Sequence, residues 1–148
     1  PYIIHLSEAY PPLGALGYVD AATELLDQNK EFDVFVVASG SGATHAGLLA
    51  GLRGSGSKAV VIGCCVRRAA ALQGSRIDRV LERLADLYSP ANNVTREDIR
   101  VWDGALAPGY GRIGPKSLDA IKLVASQEGL FLDPVYTAKS FAAITTSC

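Results

Sequence analysis

The sequence has almost no net charge and no long apolar run, and each absence excludes a class of protein. A net charge of −1 leaves no basic surface for nucleic acid and no acidic tail. No apolar stretch approaches the roughly 20 residues that a transmembrane helix requires, and the N-terminus lacks the pattern of a signal peptide. We therefore predict neither a nucleic-acid partner nor a membrane partner.

Cysteine and histidine are scarce as well. Three cysteines, of which Cys64 and Cys65 are adjacent, do not form a disulfide framework, so we expect a cytoplasmic protein. The two histidines have no metal-ligand spacing with the cysteines, and we predict no metal site. Cys64 and Cys65 lie in an apolar run and are interpreted as small buried side chains. We expect His45 to face solvent.

Methionine is absent altogether, even at position 1, and the chain stops just past an apolar helical pattern. Both ends therefore look like cuts in a longer protein, although removal of an initiator methionine would explain the first observation equally well. With 148 residues, 49% of them hydrophobic, the chain is long enough for one packed core. We treat residues 1–148 as a single domain.

Apolar periodicity and Gly/Pro breaks predict alternating strands and helices. The predicted strands cover residues 3–7, 33–38, 58–65, 99–102 and 130–132. The predicted helices cover Leu13–Gln28, residues 44–52, a segment through Ile77 that ends near Tyr88, residues 115–129, and a last helix from Pro134 to Ile144. Small residues on the first helix (Gly14, Gly17, Ala21, Ala22) suggest close approach to another backbone. This alternation predicts an α/β fold of three layers, with a mostly parallel, twisted sheet flanked by helices.

The most informative segment is the loop after the predicted strand 33–38. Small residues from Ser39 to Thr44 connect this strand to a helix, as in sites where backbone N–H groups and a helix N-terminus bind phosphate. The loop lacks the lysine of an ATP-type P-loop and does not complete G-x-G-x-x-G. On these residues alone, an ordinary tight turn is an equally good interpretation.

Two further segments follow predicted strands, and ligands of parallel sheets bind at the carboxyl ends of strands. Tyr110 lies between two glycines, where it either points into a pocket or covers an apolar edge. Tyr136 and Thr137 lie at a predicted helix start, where Thr137 or Asp133 has the simpler role of a helix cap.

Four motifs taken together resemble a known family. Residues 12–19 (PLGALGYV), 38–48 (ASGSGATHAGL), 108–111 (PGYG) and 132–139 (LDPVYTAK) occur in the order and at the distances found in the D-cysteine desulfhydrase and 1-aminocyclopropane-1-carboxylate deaminase family. These are pyridoxal-phosphate enzymes related in fold to the tryptophan synthase β chain. The resemblance covers essentially the whole chain and corresponds to the C-terminal, cofactor-domain half of the family.

The resemblance implies a role for each motif. Tyr110 and Tyr136 would flank the substrate and transfer protons, and Thr137 would lie at the pyridine nitrogen of the cofactor. A neutral threonine there is similar to the desulfhydrase branch, whose substrates are small amino acids with a β-sulfur substituent. The cofactor phosphate would be held by Ser39, Gly40, Ser41, Gly42, Ala43 and Thr44.

The sequence also departs from the family. Family members are about twice as long, and their Schiff-base lysine lies in an N-terminal motif that has no counterpart here. The small substrate-closing domain is also missing. We expect a fragment or truncated relative of a desulfhydrase-like lyase that is inactive alone and binds pyridoxal phosphate weakly or not at all. Exposed apolar surface predicts a homo-oligomer or a complementary N-terminal half as partner.

Two alternatives remain open. The first is a non-enzymatic α/β module that binds a phosphorylated ligand or serves in oligomer contacts. The second is an unrelated doubly wound nucleotide-binding domain, against which the missing ribose-binding acidic residue argues. Among small molecules, the expected partners are a small amino acid or a phosphate-bearing ligand.

Overall fold

The computed structural model describes residues 3, 9–29 and 31–146, in which helices and strands alternate. The helices are α1 (Leu13–Gln28), α2 (Ala43–Gly54), α3 (Ala70–Ala85), α4 (Pro115–Glu128) and α5 (Thr137–Thr146). The strands are β1 (Val34–Ser39), β2 (Val60–Cys65) and β3 (Arg100–Trp102), and short 3-10 turns at Ser89–Asn93 and Arg96–Asp98 precede β3. The predicted bounds of α1 are confirmed.

The three strands form an open parallel sheet in the order β1-β2-β3. Val34 pairs with Val60, and the register runs on to Ser39 and Cys65. β3 adds its three residues alongside β2, ending with Trp102 opposite Cys64. The carboxyl ends of all three strands therefore lie at one edge of the sheet, as the predicted α/β fold requires.

Helices cover both faces of this sheet. On one face, Val37 and Val61 pack against the apolar side of α2, and Val101 packs beside α3. On the other face, the Cys64 thiol lies 4.0 Å from the Ser140 carbonyl oxygen of α5. Trp102 packs there against alanines of α4 and α5. The result is the predicted three-layer arrangement.

Helices α1 and α2 approach each other closely, and of the small residues that the sequence suggested on α1, Ala22 takes part in the contact. A Cβ atom at Gly47 would collide with the carbonyl oxygen of Ala15, and one at Gly51 would lie 2.7 Å from Ala22 Cβ. A Cβ atom at Gly14 or Gly17, by contrast, would have no neighbour within 4 Å among the described residues. The close approach is confirmed, and the glycines that permit it lie on α2.

One predicted strand does not form, and another lies almost wholly outside the described residues. Residues 130–132 form no strand, and Phe131 is 92% exposed, so this prediction is wrong. A run of three apolar residues has too little periodicity to distinguish a strand from a loop. The predicted strand at residues 3–7 falls, apart from Ile3, outside the described residues.

Helix α5 begins three residues later than predicted. The Asp133 carboxylate accepts hydrogen bonds from the amides of Val135, Tyr136 and Thr137 at 2.8–2.9 Å. These are amide groups that a helix start leaves without partners, so an Asp cap fixes where the helix begins.

The described helices contain none that is both long and apolar enough to cross a membrane. Among the described residues, no three His, Cys, Asp or Glu side chains lie close enough together to hold a metal ion.

Candidate functional site

One cavity of about 550 Å³ lies at the carboxyl ends of β1 and β2. All four motifs that the sequence singled out meet there: Tyr18 of α1, the loop after β1, the segment around Tyr110, and the start of α5. Its lining consists of Tyr18, Val37, Ala38, Gly40, Ser41, Thr44, Val66, Arg67, Arg68, Arg76, Tyr110 and Tyr136.

The loop after β1 is oriented by side chains from the segment that follows β2 and from α3. The carbonyl oxygen of Gly40 accepts hydrogen bonds from Arg68 (2.9 Å) and Gln73 (3.3 Å), and that of Ser41 accepts one from Arg76 Nε (2.6 Å). Gly42, with φ +92°, then turns the chain into α2 as its N-cap. This left-handed conformation is one that glycine adopts without strain.

The amide groups of this loop remain available. The amides of Gly40, Ser41, Gly42 and Thr44 make no hydrogen bond to a protein acceptor within residues 9–29 and 31–146. The amide of Ala43 makes one long bond, 3.4 Å, to Ser41 Oγ. Unpaired amides at a helix N-terminus that borders a cavity are what an oxyanion requires.

Half of the predicted loop residues line the cavity and half support it. Gly40, Ser41 and Thr44 are in the lining. Ser39 is buried, and its hydroxyl accepts a hydrogen bond of 2.9 Å from Gln73. Gly42 is backed by Ile77 and Val80 of α3, and Ala43 is not part of the cavity lining.

The charge of the cavity is positive. Arg67, Arg68 and Arg76 line it, and its described lining contains no carboxylate. Together with the loop amides, these guanidinium groups favour an anionic ligand. The sequence analysis did not assign these arginines a role, although Arg67 and Arg68 directly follow a strand whose carboxyl end faces the predicted site.

Tyr110 and Tyr136 are brought together by the fold. Their hydroxyl oxygens are 2.7 Å apart, and the rings meet edge to face with centroids separated by 6.3 Å. The Arg67 guanidinium lies 5.7 Å from the centre of the Tyr110 ring. The hydrogen bond with Tyr110, together with desolvation, raises the pKa of Tyr136, so this phenol keeps its proton.

Thr137 lies outside the cavity lining and is engaged at the start of α5. Its hydroxyl donates to Asp133 Oδ2 at 2.7 Å and accepts from the Asp133 amide at 2.8 Å. Burial raises the pKa of the Asp133 carboxyl, but the hydrogen bonds from Thr137, Tyr136 and Val135 outweigh it and lower the pKa to about 2. The capping role is therefore filled by Asp133, with Thr137 as its partner.

His45 is fully buried, and its prediction as a solvent-facing side chain is wrong. The imidazole packs on Gly63, where any larger residue would collide with it. Neither ring nitrogen has a hydrogen-bond partner among the described residues. Desolvation lowers the pKa of His45 to about 4, so the ring is neutral.

Cys64 and Cys65 are buried free thiols, as expected. Burial raises the pKa of Cys64 to about 12 and, with the charge of Asp103, that of Cys65 to about 11. Because the thiolate is the reactive form, neither is a nucleophile at ordinary pH.

Comparison with known proteins gives a consistent result. A profile of the family described as "Pyridoxal-phosphate dependent enzyme" matches residues 1–148. D-cysteine desulfhydrases of Salmonella schwarzengrund (strain CVM19633) and Klebsiella pneumoniae (strain 342) are each 40% identical over 147 residues, or 97% of this chain. A crystal structure of an ACC deaminase homologue superposes with a TM-score of 0.76 over 91% of the chain, at 33% identity.

The match covers only part of each relative. The chain spans 44% of the length of these desulfhydrases and 41% of the deaminase homologue. The similarity therefore extends over nearly all of this chain and less than half of the proteins it resembles.

Proposed function

Because the chain belongs to the family of pyridoxal-phosphate dependent enzymes, we propose that it is the cofactor-domain part of a desulfhydrase-like lyase. The observation that carries this proposal is the set of loop amides after β1 that have no acceptor among the described residues. They border a cavity with three arginines and no described carboxylate. A phosphate ester fits this donor set, since it offers the acceptors and the negative charge that the loop lacks.

In this proposal the cofactor phosphate is held by Gly40, Ser41 and Thr44 directly. The other three loop residues support the site. Ser39 accepts a hydrogen bond from Gln73, Gly42 turns the chain into α2, and Ala43 supplies the first amide of that helix. Pyridoxal phosphate, when bound, supplies the electron sink that β-elimination from an amino acid needs. The substrate class is then a small amino acid with a β-substituent that leaves readily.

Tyr110 and Tyr136 would hold and move a proton at their hydroxyl oxygens. At 2.7 Å, either hydroxyl can donate to the other, and the raised pKa of Tyr136 keeps a proton in the pair.

Thr137 is proposed at the pyridine nitrogen. Its hydroxyl donates to Asp133 and accepts from the Asp133 amide, which leaves a second lone pair of its oxygen as an acceptor.

No lysine is among the described residues that line the cavity. We propose that the chain alone does not turn over amino acids and that a complementary N-terminal half, or a second copy, completes the site. The buried reduced thiols of Cys64 and Cys65 support a cytoplasmic setting.

Ser41→Asp tests the phosphate site. A carboxylate in the loop would repel a dianion a few ångströms away, and we expect about tenfold weaker binding of pyridoxal phosphate or more. Calorimetric titration with pyridoxal phosphate, and separately with inorganic phosphate, measures the effect.

Ser55→Asp is the matched control, because it makes the same charge change at the other end of α2, in an exposed position. Equal weakening by both variants would contradict a site at the loop. Binding of inorganic phosphate as tight as that of pyridoxal phosphate would favour the alternative, a non-enzymatic module for phosphorylated ligands.

The proposed partner is testable by light scattering. Leu130 and Phe131 are 59% and 92% exposed after α4, and such adjacent apolar side chains favour an interface. We expect the protein to sediment and scatter as a dimer or larger species, and the Leu130→Ser/Phe131→Ser variant to shift it towards monomer. A monomeric parent protein at micromolar concentration would count against self-association.

A further inference from the structure

The ammonium group of Lys139 is buried in a place where the proposed phosphate site does not use it. Its side chain is fully buried, and Nζ donates to the carbonyl oxygens of Leu106 (3.1 Å) and Gly109 (3.0 Å). Of the carboxylates in the described part of the chain, none pairs with it. A buried charge without a counter-ion costs free energy, so its two carbonyl partners call for an explanation.

The two carbonyls belong to the loop that carries Tyr110. Gly109 immediately precedes Tyr110, and Leu106 begins the turn that closes with the hydrogen bond from the Gly109 amide, at 2.9 Å. Lys139 itself lies in the first turn of α5, three residues after Tyr136, which immediately precedes the helix. One side chain therefore joins the two segments that carry the paired phenols.

The other hydrogen bonds of the loop that carries Tyr110 do not connect it to α5, so the hydrogen bonds from Lys139 matter for its position. Hydrogen bonds from the Leu106, Gly109 and Arg112 amides run to acceptors in the same segment, at Asp103, Leu106 and Gly109, and so hold the loop to itself. Ala105 adds an apolar contact to Ala142 of α5. The hydrogen bonds from Lys139 fix the position of Gly109, and with it that of Tyr110, relative to the start of α5.

We propose that Lys139 is a positioning residue that sets the contact between the hydroxyl groups of Tyr110 and Tyr136. This deepens the proposed function, on which the use of the tyrosines in proton transfer rests. The contact itself is measurable without any ligand, so a failure of this inference and a failure of phosphate binding are seen in different experiments.

The test is the ionisation of the Tyr136 phenol, followed by NMR with tyrosine labelled at the ζ carbon and assigned through Tyr136→Phe. In Lys139→Met we expect the pKa of Tyr136 to fall towards its ordinary value, because the hydrogen bond with Tyr110 is the main cause that raises it. If Lys139 acted on the phenols through its charge, its removal would instead raise the pKa. The two explanations therefore differ in sign.

Two variants complete the comparison. Tyr110→Phe should lower the pKa of Tyr136 by itself, and adding Lys139→Met to it should cause no further fall. Lys139→Arg, which retains charge and donors, should keep the value of the parent protein. A raised or unchanged pKa in Lys139→Met, or a further fall in the double variant, would overturn the inference.

Should the methionine variant not fold, as judged by circular dichroism, Lys139→Gln gives the same discrimination. The amide removes the charge and keeps N–H donors on a side chain one bond shorter. Positioning again predicts a fall in the pKa of Tyr136, and a purely electrostatic role predicts a rise.

Discussion

Gly47→Ala is expected to lower the free energy of unfolding by about 3 kcal/mol, the upper end of what overpacking costs. The added methyl group would collide with the carbonyl oxygen of Ala15 and would lie 2.8 Å from Tyr18 Cβ. Backbone atoms cannot move aside as the end of a flexible side chain can, so α1 and α2 must separate along their whole contact. Urea denaturation followed by circular dichroism measures the loss.

Gly17→Ala is the matched control, with an effect of the opposite sign. Gly17 lies inside α1 and is exposed, and a Cβ atom there would have no neighbour within 4 Å in the part of the chain that the structure describes. Alanine there relieves the poor helix propensity of glycine and should raise the free energy of unfolding by up to about 1 kcal/mol. Similar effects of the two substitutions would mean that α1 and α2 do not pack as closely as described.

Acidification is expected to destabilise the protein through His45. The ring is neutral in the folded protein, where its pKa is about 4, whereas the ordinary pKa of a solvated histidine is 6.5. The unfolded chain therefore binds an additional proton below pH 6.5. The stability that the neutral ring confers is complete above pH 6.5 and is lost as the pH falls towards 4. Between pH 7 and pH 5 the loss amounts to about 2 kcal/mol.

His45→Leu separates this effect from other titrating groups. Both ring nitrogens lack partners among the described residues, so an apolar side chain of similar size breaks no hydrogen bond there. We expect the variant to be at least as stable as the parent protein at pH 7 and about 2 kcal/mol less sensitive to the change from pH 7 to pH 5. Parallel stability profiles for the two proteins, measured with urea at each pH, would show that His45 is not the titrating group.

Much of the fold follows from local patterns in the sequence. Gly129 and Pro115 mark the ends of α4 correctly, since the left-handed residue after a helix and proline in its first turn have strong local preferences. The long helix α1 is predicted to the residue. Residues 130–132 fail because whether a short apolar run forms a strand depends on a neighbouring strand that no local pattern reveals.

The site is less predictable than the fold, and the reason is that its support comes from distant residues. The loop after β1 and the two tyrosines are recognisable from their motifs, yet Gln73 and Arg76, which fix the loop carbonyls, carry no local signal. His45 fails as a prediction because a position one residue into a helix does not reveal that Gly63, on a neighbouring strand, makes room for a ring. Lys139 escapes for the same reason, since its acceptors lie about thirty residues earlier.

The network at the start of α5 has a consequence for how the protein fails in acid. The Asp133 carboxylate, with a pKa of about 2, keeps its charge throughout the range in which His45 becomes costly. The hydrogen bonds of Asp133 at the start of α5 thus persist at a pH at which protonation of His45 already destabilises the packing of α2. As the pH falls towards 4, we therefore expect ligand binding to be lost through unfolding, before the contact between Tyr110 and Tyr136 is disturbed.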